Sequence, residues 1–292
     1  MFGFLPHNLF TNHIGQNTTG LSPRLWSRVS GSVMASDGDK RLVLAGDDFT
    51  SFYGTVATKV GDYSGGYKSY EETSTSIVQA SDQKGGVIQI TADGTDNDDI
   101  ALAAGGAAGV LGAISDTAAD AHLTAFECRF KTSTVTDDES AFFLGLAEEG
   151  LAAAASIANN TGIIDDKDHI GFSTNHLHGG TAGENAKLDF AYQLSGATRV
   201  VKIATLQTLA ADTWYKVGFV YDPDAEAAKR ITVYLDNAEQ STYVTATNIS
   251  TSTGSAFPDG QELTFNALQH SGGTAAGSVL SIDWWAFAQL IA

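Results

Sequence analysis

The 292-residue sequence contains a single cysteine, Cys128. An intrachain disulfide needs two, so a small secreted module stapled by disulfides is excluded. Positive charge is scarce too, with 16 Lys+Arg against 34 Asp+Glu and a formal net charge of −18. Such a surface repels phosphate backbones, and no cluster of Lys and Arg counters it locally, which argues against a nucleic-acid partner. No apolar run is long enough to cross a bilayer. The opening MFGFLPHNLF has no basic n-region and is interrupted by Pro6 and His7, so it does not read as a secretory signal. The expectation is a chain that folds in a cytoplasm, without a membrane partner. Helical patterning is equally thin: LAAAASIANN (151–160) and DTAADAHL (116–123) have some helix propensity but read as excursions between strands. No repeat of solenoid length is present.

What is abundant is glycine, at 31 residues, and aromatic side chains, at 10%, in a chain only 17% charged; that balance gives a core and many turns rather than disorder. From Asp47 onward the dominant pattern has period two. In AFECRFKT, Phe126, Cys128 and Phe130 share one face and Glu127 and Arg129 the other, which makes Cys128 an inward packing residue. In WYKVGFVYDPD, Tyr215, Val217, Phe219 and Tyr221 alternate against Trp214, Lys216, Gly218 and Val220. In RITVYLDNAEQ, Ile231, Val233 and Leu235 oppose Thr232 and Tyr234, and Asp236-Asn237 predicts a tight hairpin, since both residues tolerate positive φ. LDFAYQL, VIQITADG, FFLGLA, HIGFST and ELTFNAL add further strands. Roughly ten or more strands at this spacing predict an all-β sandwich.

The two ends of the chain stand apart. Residues 1–45 carry Phe2, Phe4, Leu5, Leu9 and Phe10 without a clean period, separated by Pro, Asn and Gly. This predicts an irregular N-terminal arm, either packed back on its own domain or laid on a neighbouring subunit, where side chains lacking local partners find contacts. The terminal VLSIDWWAFAQLIA (279–292) is apolar to its end. With period two, Leu280, Ile282, Trp284, Ala286, Ala288 and Leu290 form one apolar face and Ser281, Asp283, Trp285, Phe287 and Gln289 a mixed one. That is a strand closing the sandwich.

The succession WYKVGFVYDPD, RITVYLDNAEQ and SIDWWAFAQ resembles the last strands of concanavalin A-like, laminin-G-type jelly rolls, and LAGDDFTSF resembles their first strand. The resemblance spans 47–292, most specifically 214–240 and 279–291, and implies a jelly-roll sandwich over 46–292 behind the arm of 1–45. Together with LSPRLWSRVSG it is also similar to structural proteins of tailed-phage virions, in which such jelly rolls sit on the capsid or tail surface.

Catalytic chemistry has no constellation. Glycoside hydrolases of this fold carry an E-x-D-x-x-E strand, whose alternation brings two carboxylates onto one face for a retaining mechanism. Here Glu148-Glu149 are adjacent and diverge, and Asp165-Asp166-Lys167-Asp168 reads as a loop. In HIGFSTNHLHGG, His176 and His178 would share a strand face near His169 and suggest a metal, or else surface histidines in a turn. The loop DGTDNDD (93–99) suggests calcium, which laminin-G-type domains hold at a loop edge, or a solvated hairpin tip. No phosphate-binding glycine loop, nucleophile elbow or HExxH helix occurs. Trp214, Tyr234 and Trp285 fall on the less apolar faces of their strands and form a candidate glycan platform, with a packing role as the alternative.

These readings add up to a non-enzymatic virion structural protein without a cofactor, calcium excepted. It would decorate the capsid surface as a homo-oligomer, a trimer by analogy, and dock on the major capsid protein or other virion proteins through Phe2, Phe4, Leu5, Leu9, Phe10 and a sandwich edge. Deleting residues 1–40 would then leave a folded domain. The rivals are a carbohydrate-binding, receptor-recognising module of a tail or fibre, and a glycoside hydrolase.

Overall fold

Two antiparallel sheets face one another across a single apolar layer in the computed structural model, which describes residues 20–35, 41–56, 59–72, 75–81, 85–95, 97–105, 110–117, 119–136, 139–158, 163–175, 185–250, 255–272 and 277–291. Strands are numbered along the chain. The first sheet runs β15 (Ala238–Val244), β14 (Ile231–Leu235), β13 (Tyr215–Tyr221), β8 (Thr124–Thr132), β17 (Val279–Ile291), β6 (Ile88–Thr91) and β5 (Ser76–Gln79), with β1 (Arg41–Asp47) also on β17. The second runs β12 (Val200–Thr208), β11 (Lys187–Gln193), β10 (His169–Ser173), β9 (Ser140–Glu148), β16 (Leu263–Ser271), β7 (Asp99–Ala103), β4 (Tyr67–Glu71), β3 (Val60–Tyr63) and β2 (Gly54–Val56).

The alternation read from the sequence sets the inner layer. Phe126, Cys128 and Phe130 of β8, Val217 and Phe219 of β13, and Phe190 and Tyr192 of β11 all enter it. Burial pushes the Cys128 thiol well above its ordinary pKa, which leaves it an unreactive packing group. The β14–β15 hairpin turns on Asp236 and Asn237, whose φ values of 45° and 72° are those a two-residue turn of the primed type requires.

The closing strand departs from simple alternation. Leu280 and Ile282 point inward, but so do Trp285 and Phe287, while Trp284, Ala286, Ala288 and Leu290 point outward. The register against β8 slips between Ile282 and Trp284, so Asp283 is the extra residue of a bulge and every side chain after it changes face. Asp283 is thereby turned out to form an ion pair with Arg129. One edge of β17 takes β6 over Val279–Ile282 and β1 over Trp285–Ile291, while β8 lies on the other.

The expectation of an irregular segment over 1–45 is corrected for its second half. Pro23–Ala35 is a helix, α1, and β1 begins at Arg41, inside the span assigned to the arm. The helix lies on the outer face of the first sheet, where Leu21, Leu25, Trp26 and Val29 cover Val220, Tyr234, Trp284, Ala286, Ala288 and Leu290. Gly218 makes room for it, since a Cβ there would stand 2.6 Å from Leu25 Cδ1. Two buried charges pin its start. Glu127 accepts hydrogen bonds from Trp26 Nε1 at 2.7 Å and Ser22 N at 3.0 Å, and Lys216 Nζ donates to Gly20 O at 2.9 Å and Asn237 Oδ1 at 2.7 Å. Burial raises the Glu127 pKa and lowers that of Lys216. The local signal is present, with Ser22-Pro23 at a helix start and Leu21, Leu25 and Val29 at i, i+4 and i+8, but the Ser- and Gly-rich sequence around it makes the segment read as irregular. Phe2, Phe4, Leu5, Leu9 and Phe10 lie outside the described residues.

Candidate functional site

On the second sheet, the side chains that alternate away from the core build the outer face. Over its middle, a segment leaves β9 through Gly150, at φ 85°, and folds back on the sheet. Leu151, Ala152, Ile157 and Ile164 of that segment pack on Tyr70, Ala101, Phe143 and Leu268. Asp99 fixes it from below: Oδ2 accepts the backbone N–H groups of Ser156 and Ile157 at 2.9 and 3.0 Å, and Oδ1 lies 2.6 Å from His270 Nδ1. Asp99 and His270 are both buried, so removing either leaves hydrogen-bonding groups without water, at a cost of about 1–3 kcal/mol for each group left unsatisfied.

Beside this covered region, β10 and β11 present His169, Gly171, Ser173, Asp189, Ala191 and Gln193 outward. The floor is flat because Gly171 and Gly145 lack side chains; a Cβ on either would strike the Phe143 ring at 2.9 or 2.8 Å. Two loops rise from this floor, residues 163–168 and the turn at Ser195–Gly196. They are stitched together: Asp166 Oδ1 accepts from Gly196 N, Asp168 Oδ1 from Ser195 N at 2.7 Å, and Ser195 Oγ donates to the Asp166 carbonyl at 3.2 Å. Between them opens a cleft of about 450 Å³, lined by Ile163, Asp165, Asp166, Gln193, Thr198 and Arg199 among others. Arg199 crosses the floor to donate from Nη2 to Ser173 Oγ at 2.6 Å.

His169 lies under this floor, buried, with Nδ1 2.8 Å from the Lys167 carbonyl and its ring edge-on to Phe143. Burial, with a contribution from the Arg199 charge, lowers its pKa to about 4. In the unfolded chain the imidazole takes up its proton near its ordinary value of about 6.5. The unfolded state therefore binds more protons between those two values, and stability falls as pH drops through that window, by about 3 kcal/mol in all. Chemical denaturation of wild type and His169→Asn at pH 7 and pH 4.5 reads this directly. The pH-dependent loss should be smaller in the variant by most of that amount; equal losses would refute the assignment. Contributions from carboxylates cancel in the comparison.

The aromatic platform expected from the sequence is not assembled. Trp285 is buried in the inner layer, stacked on Phe265 at 4.5 Å between centroids, and donates from Nε1 to Tyr67 Oη at 2.7 Å. Tyr234 is buried beneath α1. The bulge at Asp283 turned Trp285 inward, and the helix covered Tyr234; neither ring can offer a face to a sugar. Trp214 is half-buried elsewhere on the outer face of the first sheet, with the Arg129 guanidinium 4.3 Å and Lys131 Nζ 5.3 Å from its ring centroid. The three rings do not meet on one surface.

The acidic loop 93–99 divides its side chains. Asp93 caps its own turn by accepting from Thr95 N and Oγ1, Asp98 hydrogen-bonds Glu72 and Asp93, and Asp99 turns inward to His270. Burial and the neighbouring carboxylates push the Asp98 pKa up to about 7. Among the described residues, no group of three His, Cys, Asp or Glu side chains has an arrangement that would hold a metal ion. His176 and His178 lie outside the described residues. Asp165-Asp166-Lys167-Asp168 lies in a loop, as its sequence suggests, and Asp165 and Asp166 line the cleft together with Arg199, which no sequence pattern marks. Strand periodicity says nothing about a residue that precedes a strand.

No family model matches the sequence, and no curated protein matches it. Solved structures do match in shape. A protein of unknown function from Shewanella oneidensis MR-1 superposes with a TM-score of 0.53 at 16% identity, covering 92% of this chain and 95% of its own. Peanut lectin in complex with a 9mer peptide gives 0.50 at 13% identity, covering 86% and 99%. The fold is a lectin-like jelly roll. The CBM2 module of the evolved Dit of Lactobacillus casei BL23 phage J-1 gives 0.49 at 10% identity, covering 87% and 97%. At these identities the likeness establishes architecture, and the chemistry of this chain has to be read from its own cleft.

Proposed function

We propose that this chain is a non-enzymatic, carbohydrate-binding jelly-roll module whose ligand sits in the cleft between loop 163–168 and the turn at Ser195–Gly196. The observation that carries this reading is the cleft itself: about 450 Å³, within the range of small-ligand sites, and lined by the polar residues Asp165, Asp166, Gln193, Thr198 and Arg199. Those groups match a ligand dense in hydroxyls. The walls are tied to each other before any ligand arrives, so little ordering entropy is lost on binding. Binding to an immobilised glycan panel tests the reading. It predicts at least one saccharide that binds wild type and is lost on Gln193→Ala with the fold intact; no binding across the panel would sink it.

A second role, attachment to a virus particle as a capsid decoration or tail component, is favoured by a different observation. The α1 helix brings the chain at Gly20 to a fixed point on the outer face of the first sheet, on the opposite side of the sandwich from the cleft. An N-terminal arm bearing Phe2, Phe4, Leu5, Leu9 and Phe10 would then dock on the major capsid protein or another virion protein, while the cleft faces away. Repeated copies, as a homo-oligomer or on a lattice, would multiply weak sugar contacts. Quantitative mass spectrometry of purified particles tests this: a copy number near that of the shell protein favours the capsid, a few copies favour the tail, and absence rules the role out.

A further inference from the structure

A guanidinium in a protein as acidic as this one would be expected to pair with a carboxylate, and among the described residues Arg199 forms no ion pair. Its single direct hydrogen bond among the described residues goes to the neutral Ser173 hydroxyl. Asp189, the carboxylate that acts on it through space, has its Oδ1 taken by Thr205 N at 2.8 Å. Burial pulls the Arg199 pKa below its ordinary value, with Asp189 opposing only in part. On the other side, the imidazole of His169 is buried and neutral, and offers no negative charge. Arg199 is also one of the residues that line the cleft.

A largely buried cation without an ion-pair partner is costly unless something supplies the counter-charge. The fork of a guanidinium matches a planar carboxylate in bidentate fashion, which a neutral hydroxyl does not reproduce. The acidic side chains of the cleft are placed differently. Asp165 is exposed at the rim, and Asp166 is held there by Gly196 N. Carboxylates at a rim accept hydrogen bonds from sugar hydroxyls and repel a second anion, so they favour a ligand whose negative charge lies away from them, toward the floor.

Resting on the reading of this cleft as a saccharide site, we infer that its ligand is a sugar acid of the uronate class, with its carboxylate on Arg199 and its hydroxyls on Asp165, Asp166 and Gln193. The polarity of the cleft then sets the orientation of the ligand. Neutral sugars leave the guanidinium unpaired, and fully sulfated chains meet the rim carboxylates.

The test uses the full chain and a set of uronate oligosaccharides, each beside its carboxyl-reduced counterpart, with affinities measured by calorimetry. The expected result is at least one uronate oligosaccharide whose affinity drops about tenfold to a hundredfold on carboxyl reduction, the loss of a charge-assisted hydrogen-bond pair. Arg199→Gln should lose the same factor against the acidic sugar and nothing against the reduced one. Arg199→Lys, which keeps charge but not the fork, should fall between. Because Arg199 forms no ion pair among the described residues, Arg199→Gln should melt at or above the wild-type temperature, whereas an arginine with a purely structural role would lower it. Equal binding of acidic and reduced sugars, or acidic binding that survives Arg199→Gln, overturns the inference while leaving the saccharide reading in place. Silence of both sets, with neutral glycans also silent, overturns the two together.

Discussion

Replacing Trp285 by alanine is expected to cost about 3–5 kcal/mol of folding stability, the range for removing a large aromatic from a packed core. The indole is buried, lies nearly parallel to Phe265 at 6° between planes, and supplies the Nε1–H that Tyr67 Oη accepts. Alanine would leave a cavity between the sheets and take away a donor from a hydroxyl that is itself buried. For a domain of this size such a loss lowers the melting temperature by about 10 °C. Trp214→Ala, at a half-buried position whose ring lies between two cations, should cost only about 1 kcal/mol. Thermal denaturation of the two variants separates the roles. A Trp285→Ala protein that melts like wild type would mean that the indole is not in the core. The same experiment distinguishes this structure from the glycan platform suggested by the strand pattern, which would predict lost sugar binding with stability unchanged.

Removal of the N-terminal segment should give two opposite results, depending on where the cut is made. A chain beginning at Gly20 keeps the bonds from Lys216 and Glu127 to the start of α1 and should remain folded and monodisperse as far as this face is concerned. A chain beginning after Ala35 loses Leu21, Leu25, Trp26 and Val29, and uncovers Trp284, Ala286, Ala288, Leu290, Val220 and Tyr234 as one contiguous apolar face. It also leaves the Glu127 carboxylate without its Trp26 and Ser22 donors. Exposed apolar patches of several hundred Å² promote association. The longer truncation is expected to self-associate and to bind hydrophobic dyes, while the shorter one does neither. Size-exclusion chromatography of both decides it, and a monomeric, stable chain lacking α1 would show that the helix is dispensable. Within the intact chain, Trp26→Ala should cost about 3–5 kcal/mol, since it removes both a buried ring and a donor to Glu127. The expectation that residues 1–40 can be removed with the fold kept is therefore not carried over to Leu21–Val29, which pack on the first sheet.

Much of the architecture was legible because β-structure buried on one side repeats its chemistry every second residue. Phe126, Cys128 and Phe130, the set Tyr215 to Tyr221, and the Asp236-Asn237 turn each carry their conformation in their own neighbourhood. The α1 helix left a local signal, Ser22-Pro23 followed by the i, i+4 spacing of Leu25 and Val29, but what it packs on, Glu127, Lys216 and the outward face of β17, lies far away in the chain. The faces of Trp284 and Trp285 were misassigned because a bulge of one residue reverses alternation without altering composition. Asp166 reads only as part of an acidic loop and Arg199 carries no signal of its own, since neither lies within a strand whose period would place its side chain.

By itself, the sequence determined an acidic, disulfide-free, all-β sandwich with a tight hairpin near its end and an apolar closing strand. Those properties follow from composition and from local backbone preference. Tertiary structure alone decided which face each tryptophan of the closing strand occupies, that a helix seals one side of the sandwich, and that Arg199 meets two stitched loops on the other. Each of these depends on groups distant in sequence coming within a few ångströms, and no local pattern records such a meeting.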